Sequence, residues 1–210
     1  MRSRVPRSCR PQIRVVATVI RSRSAVGIAG TKGDRLSRLV LVDTFGLSRF
    51  RPAPSFALAL VPYIARPTER THDRLWQRCA LDLDRVRQEM GEDWEPFKAY
   101  NLDRARTPSV KAALRVLMRQ LGVPAIPSAD LARIAVPTTL IWGRHDLGTR
   151  LRIAEAASAR YGWPLHVIEN AAADPPIERP EAFLGALRPA LGSLEWSSPR
   201  ARASVDARST

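Results

Sequence analysis

The residues able to do chemistry are few and scattered. Asp146 closes the tetrapeptide Gly143-Arg-His-Asp146, directly after the β-rich run Val136-Pro-Thr-Thr-Leu-Ile-Trp142. A carboxylate at such a place can accept hydrogen bonds from its own turn, or it can face a reaction centre. Asp43 ends a second apolar run, Leu39-Val-Leu-Val42. The histidines, His72, His145 and His166, are too widely dispersed to define a metal site by spacing. Cys9 and Cys79 form neither a disulfide framework nor a CxxC pair, so redox and zinc chemistry find no support and a reducing, cytosolic setting is expected.

The elements around these residues divide the chain. Residues 1–33 mix Arg, Ser, Pro and Val without sustained periodicity and read as an irregular basic segment, with one short strand expected at Ile13–Ile20. The pattern changes at Asp34. Leu39–Val42 is a continuous apolar run of the kind buried on both faces of a parallel sheet. From Leu47 to about Pro127 the periodicity is helical, with apolar stretches at Phe56–Ile64, Leu75–Leu83, Val86–Tyr100 and Val110–Leu121. Within it, Trp76, Trp94, Phe97, Leu114, Leu117 and Met118 either pack a core or line a ligand pocket. Strand and helix then alternate: Val136–Trp142, Leu151–Tyr161, Leu165–Ile168 and Glu181–Leu191, the order of a doubly wound parallel sheet. The Ser- and Arg-rich tail that follows is expected to be flexible.

Composition bounds the functional classes. With 210 residues, 45% of them hydrophobic, the chain can bury one sizeable core. Its net charge of +14 is concentrated at one end, since residues 1–33 carry +8, residues 193–210 carry +1 and the rest +5. Lys occurs only at 32, 98 and 111, and an arginine excess of this kind reflects coding composition at least as readily as phosphate recognition. No nucleic-acid reader motif and no basic stripe interleaved with aromatics is present, so specific nucleic-acid binding is not expected. Phe56–Ala65, the longest apolar stretch, contains a proline and is about half of the roughly 20 residues needed to span a bilayer.

Three segments together resemble consecutive landmarks of the α/β-hydrolase superfamily. Asp34-Arg-Leu-Ser-Arg-Leu-Val-Leu-Val-Asp43 is similar to the strand after the nucleophile helix. Val136 to Asp146 is similar to the strand that ends in the catalytic acid. Leu165 to Phe183 is similar to the last strand, the histidine loop and the start of the final helix. The resemblance covers about residues 34–191. It implies a partial α/β-hydrolase fold: an α/β core over 34–45 and 130–191, a helical cap insertion over 46–129, a basic segment 1–33 and a flexible tail 192–210.

The resemblance also implies hydrolysis of an ester, amide or related bond of a small apolar substrate, without a cofactor, through a serine, a histidine and an acid. Asp146 falls at the acid position, and it is the one catalytic residue the resemblance assigns. Where the family carries its histidine this chain reads Ala172-Ala173-Asp174-Pro175, and Ala173 cannot move a proton. Asp174 is expected to turn the chain or cap a helix. No Gly-x-Ser-x-Gly precedes Asp43; Ser24 has Ser22 and Val26 where glycines would stand. The resemblance therefore implies impaired activity, with a non-catalytic ligand- or partner-binding remnant as the alternative. A shifted reading frame over 1–33, a degenerate paralogue and one half of a composite site are competing origins for this pattern. A sheet lacking its early strands is expected to expose an edge through which the chain self-associates.

Overall fold

The computed structural model describes residues 13–18 and 36–192. Four parallel strands form one sheet in the order β1 (Ile13–Thr18), β2 (Leu36–Val42), β3 (Thr138–Gly143) and β4 (Leu165–Ile168). Between β2 and β3 lies the helical insertion, with α1 (Pro54–Ala65), α2 (Glu69–Cys79), α3 (Leu83–Met90), α4 (Trp94–Arg106), α5 (Pro108–Leu117) and α6 (Ser128–Ala132). Helix α7 (Leu151–Tyr161) joins β3 to β4, and α8 (Pro175–Glu178) and α9 (Pro180–Leu191) follow.

The two central strands are buried on both faces, as their unbroken apolar runs require. Leu39, Leu41, Leu140 and Trp142 point to one side, where Ala154 and Ala157 of α7 meet them with Trp163. Val40, Val42 and Ile141 point to the other, against Phe183 and Ala190 of α9. Side chains alternate across a strand, so one run of apolar residues serves both layers.

The sheet takes in six residues that the sequence places in the irregular basic segment. β1 pairs with β2 from Ile13↔Leu36 to Thr18↔Val42, and its Ala17 is 2% exposed in the first core layer. Its outer positions stay open, with Ile13 51% and Val16 41% exposed. The remainder of 1–33, including Cys9, Ser22 and Ser24, lies outside the described residues, as does the tail from 193.

Helix boundaries in the insertion follow turn chemistry more than apolar periodicity. Thr68 and Thr71 form a reciprocal capping box that starts α2, and Asp82 accepts from the Arg85 amide to start α3. The stretch read as one helix over Val86–Tyr100 is broken at Gly91, where φ is 52°, followed by a single tight turn through Asp93. Glycine adopts that conformation without the Cβ clash that other residues meet. Trp76 meets Trp94 and Phe97 edge to face and those two are tilted on each other, with centroids 5.0–6.1 Å apart, in a small core with Leu83 and Val86. Leu114 and Leu117 do not join them; both are 42% exposed.

Candidate functional site

The parallel strands bring their C-terminal ends to one edge, and four carboxylates gather there. Asp43 leaves β2 with φ 39°, the only non-glycine residue with positive φ among those described. Aspartate tolerates this left-handed geometry. The turn directs its Oδ1 to the Gly143 amide at the end of β3, 3.0 Å away, while Oδ2 is buried with no partner. Gly143 is required on steric grounds, because a Cβ there would lie 1.8 Å from the Ala172 carbonyl oxygen. Strand β3 and the loop after β4 thus touch backbone to backbone. The Ala171 carbonyl accepts from the His145 amide at 3.0 Å.

Asp146 is 4% exposed and engages its own turn with both oxygens. Oδ1 accepts from the amides of Gly148 (2.6 Å) and Thr149 (3.1 Å), and Oδ2 accepts from the Thr149 hydroxyl. The turn is tied down further by Trp142, whose indole N–H donates to the Thr149 carbonyl. It also contacts the insertion, as the Ala53 amide donates to the Leu147 carbonyl at 2.7 Å.

Glu178, 4% exposed, is the least legible member of the group. Its Oε2 accepts from the Leu81 amide (2.7 Å) between α2 and α3, and its Oε1 accepts from the amides of Ala172 (2.8 Å) and Asp174 (3.3 Å). One carboxylate therefore fastens the insertion to the loop after β4. The Ala173 amide adds a second tie by donating to the Cys79 carbonyl at 2.8 Å. Asp174 occupies the N-terminal cap position of α8, but its side chain makes no capping bond; its backbone carbonyl takes the Ile177 and Glu178 amides. The expected side-chain cap is thus replaced by a backbone one: Pro175 and Pro176 carry no N–H, and the first donors, at Ile177 and Glu178, are taken by the Asp174 carbonyl.

The electrostatics follow from crowding acids away from water. Burial raises Asp43 well above the ordinary carboxylate range, reinforced by the charge of Asp146 and opposed by the Gly143 hydrogen bond. Asp146 is raised by burial and pulled back by the Thr149 hydroxyl and the Thr149 and Gly148 amides. Burial and the charge of Glu178 lift Asp174 to about 6. The Cys79 thiol is pushed up to about 12 by burial and then by Asp146, Asp174 and Glu178, which leaves it a weak nucleophile.

The three histidines stay apart. His145 is exposed on the rim of an open cleft of about 580 Å³ whose walls include Leu81, Asp146, Leu147 and Ala172. His166 lies half-buried in β4 beside a separate surface groove. His72 is fully buried in the insertion among the rings of Tyr63, Trp76 and Trp94, and its Nδ1 lies 3.1 Å from Asp73. Burial lowers its pKa, against the pull of Asp73. Among the described residues, no group of three or more His, Cys, Asp or Glu side chains is placed to hold a metal, and no helix is long and apolar enough to cross a membrane.

A parallel sheet flanked by helices on both faces, with an all-helical insertion after β2, is the arrangement of part of the α/β-hydrolase fold. Solved structures with that fold bear this out. The chain superposes on a 2-hydroxy-6-oxo-6-phenylhexa-2,4-dienoate hydrolase from Rhodococcus sp. strain RHA1 with a TM-score of 0.72 at 17% identity, covering 88% of this chain and 65% of that one. A serine hydrolase from the polyaromatic-hydrocarbon-degrading bacterium Cycloclasticus zankles gives 0.69 at 16% identity, over 86% of this chain and 64% of that one. A thermophilic esterase from Thermogutta terrifontis gives 0.60 at 20% identity, over 85% and 64%. The chain thus spans less than two-thirds of the length of these proteins. No family model and no curated protein matches it.

Proposed function

We propose that this chain is an α/β-hydrolase-fold protein in which the parent reaction, hydrolysis of an ester, amide or related bond of a small apolar substrate, is impaired, with the cleft under the insertion retained for ligand binding. The observation that carries this reading is the state of the two positions that should cooperate. Asp146 spends both carboxylate oxygens on Gly148 and Thr149. Opposite it, Ala172 and Ala173 present no side chain able to take a proton, and their amides are bound to Glu178 and to the Cys79 carbonyl. General-base catalysis needs a titratable group within hydrogen-bond reach of the nucleophile, with the acid free to orient it. Asp174 sits nearest in sequence, but even raised to about 6 it is a carboxylate in a turn, without an imidazole's second nitrogen to pass the proton on.

The test is covalent labelling of folded protein with a broad serine-hydrolase phosphonate probe, the adduct located by peptide mass spectrometry. No adduct and no turnover of a short-chain nitrophenyl ester are expected. A stoichiometric adduct on one serine would overturn the reading.

A further inference from the structure

Beside the carboxylate cluster lies a groove of opposite character, about 530 Å³ in volume. Arg49 and Arg51, from the segment after β2, form one wall, and Arg150, Arg152 and Arg160, from α7 and the residue before it, form the other; among the described residues no acidic one lines it. Elsewhere in the described residues Arg85, Arg87, Arg104, Arg133 and Arg144 each meet a carboxylate. The five groove arginines meet none.

Their placement adds to the imbalance. Arg150 stands at the cap of α7 with no side-chain cap bond, and the first turn contains no acidic residue. Cations at this positive end of a helix oppose its dipole, whereas an anion there would complement it. Two of the guanidinium groups are held in position. Arg150 donates from Nη2 to the Arg51 carbonyl at 3.3 Å, and its Nε is shut off from solvent with no acceptor. Arg160 lies over the Tyr161 ring at 5.7 Å, and that ring stacks on Trp163 at 4.7 Å.

We infer that this groove binds a multiply charged, phosphate-bearing ligand. Guanidinium forks match phosphate oxygens two at a time, and forks lining one groove with no carboxylate partner among the described residues leave that capacity for a ligand. The groove runs between the segment after β2 and the length of α7. It shares Arg150 and Arg152 with the cleft beside Asp146. The inference does not rest on the hydrolytic or binding role of that cleft.

Calorimetric titration of the full chain with inorganic pyrophosphate tests it. Saturable binding that weakens with salt is expected. Removing one fork, as in Arg152→Gln or Arg160→Gln, should weaken it about tenfold, while Arg104→Gln, an arginine paired outside the groove, leaves it unchanged. In the unaltered protein, pyrophosphate should shield Arg49, Arg152 and Arg160 from phenylglyoxal, read by peptide mass spectrometry. Phosphatidic-acid vesicles that displace pyrophosphate identify a lipid headgroup as the natural source, and vesicles that fail to do so identify a soluble phosphate; both results keep the groove. Absence of saturable binding, equal loss in Arg104→Gln, unshielded groove arginines, or binding to single-stranded DNA in place of pyrophosphate would each overturn it.

Discussion

The carboxylate cluster and the arginine groove hang from the same turn, residues 146–150, yet treat charge in opposite ways. Asp43, Asp146 and Glu178 are each under 5% exposed, and each is answered by backbone amides of its own or a neighbouring loop. Four of the five arginines of the groove are exposed, Arg150 is part-buried, and none has a counter-charge among the described residues. Buried charge must be satisfied internally because desolvation is costly, whereas charge at a surface can remain open to a ligand. The first region therefore belongs to the architecture of the fold, and the second is the better candidate for specific recognition.

If that contrast holds, substitutions in the cluster cost stability and substitutions in the groove do not. The largest effect is expected for Gly143→Ala, where the new Cβ collides with the Ala172 carbonyl; a loss of about 4 kcal/mol, read by urea unfolding, is in line with strain between backbone segments. An unchanged midpoint would mean that β3 and the β4 loop are not in contact. Glu178→Ala follows, at about 3 kcal/mol, since the amides of Leu81, Ala172 and Asp174 lose their acceptor together.

No larger, and diagnostic by sign, is the pH dependence of Asp174. Its folded pKa, raised to about 6, lies above an unfolded value of about 3.9. The folded state therefore binds the proton more tightly, and the stability this contributes is complete below about pH 4 and lost as pH rises through about 6. Asp174→Asn should remove that slope, amounting to about 3 kcal/mol between the two limits, and a slope that persists in the variant assigns it to another acid. Smallest of all, Arg152→Gln and Arg160→Gln should each change stability by no more than about 0.5 kcal/mol, as exposed residues without an acidic partner do. A large loss there would turn the groove into a structural feature like the cluster.

Much of the framework was readable because it rests on local patterns. The runs Leu39–Val42 and Thr138–Trp142 are apolar enough to demand burial on both faces, and Leu151–Tyr161 carries the spacing of a helix packed on one. The family resemblance put Asp146 at an acid position after such a strand, and its alternative, bonding within its own turn, was readable as well. A threonine three residues on is a local signal for that closed turn. Glu178 had no sequence signal at all, since its partners at Leu81 and Ala172 come from different elements.

The sequence by itself determined which regions are strand and which helical, their order, and the absence of a proton-carrying side chain at Ala172 and Ala173, but not where the helices of the insertion break. Those properties depend on residue type and short-range periodicity. Tertiary structure decided the rest. It brought Asp43, Asp146 and Glu178 to one edge, set the part-buried Cys79 near them, added β1 to the sheet and lined a groove with arginines drawn from positions 49 to 160. Convergence of this kind arises from parallel strands ending side by side, which places residues a hundred positions apart within hydrogen-bond distance, as for Asp43 and Gly143.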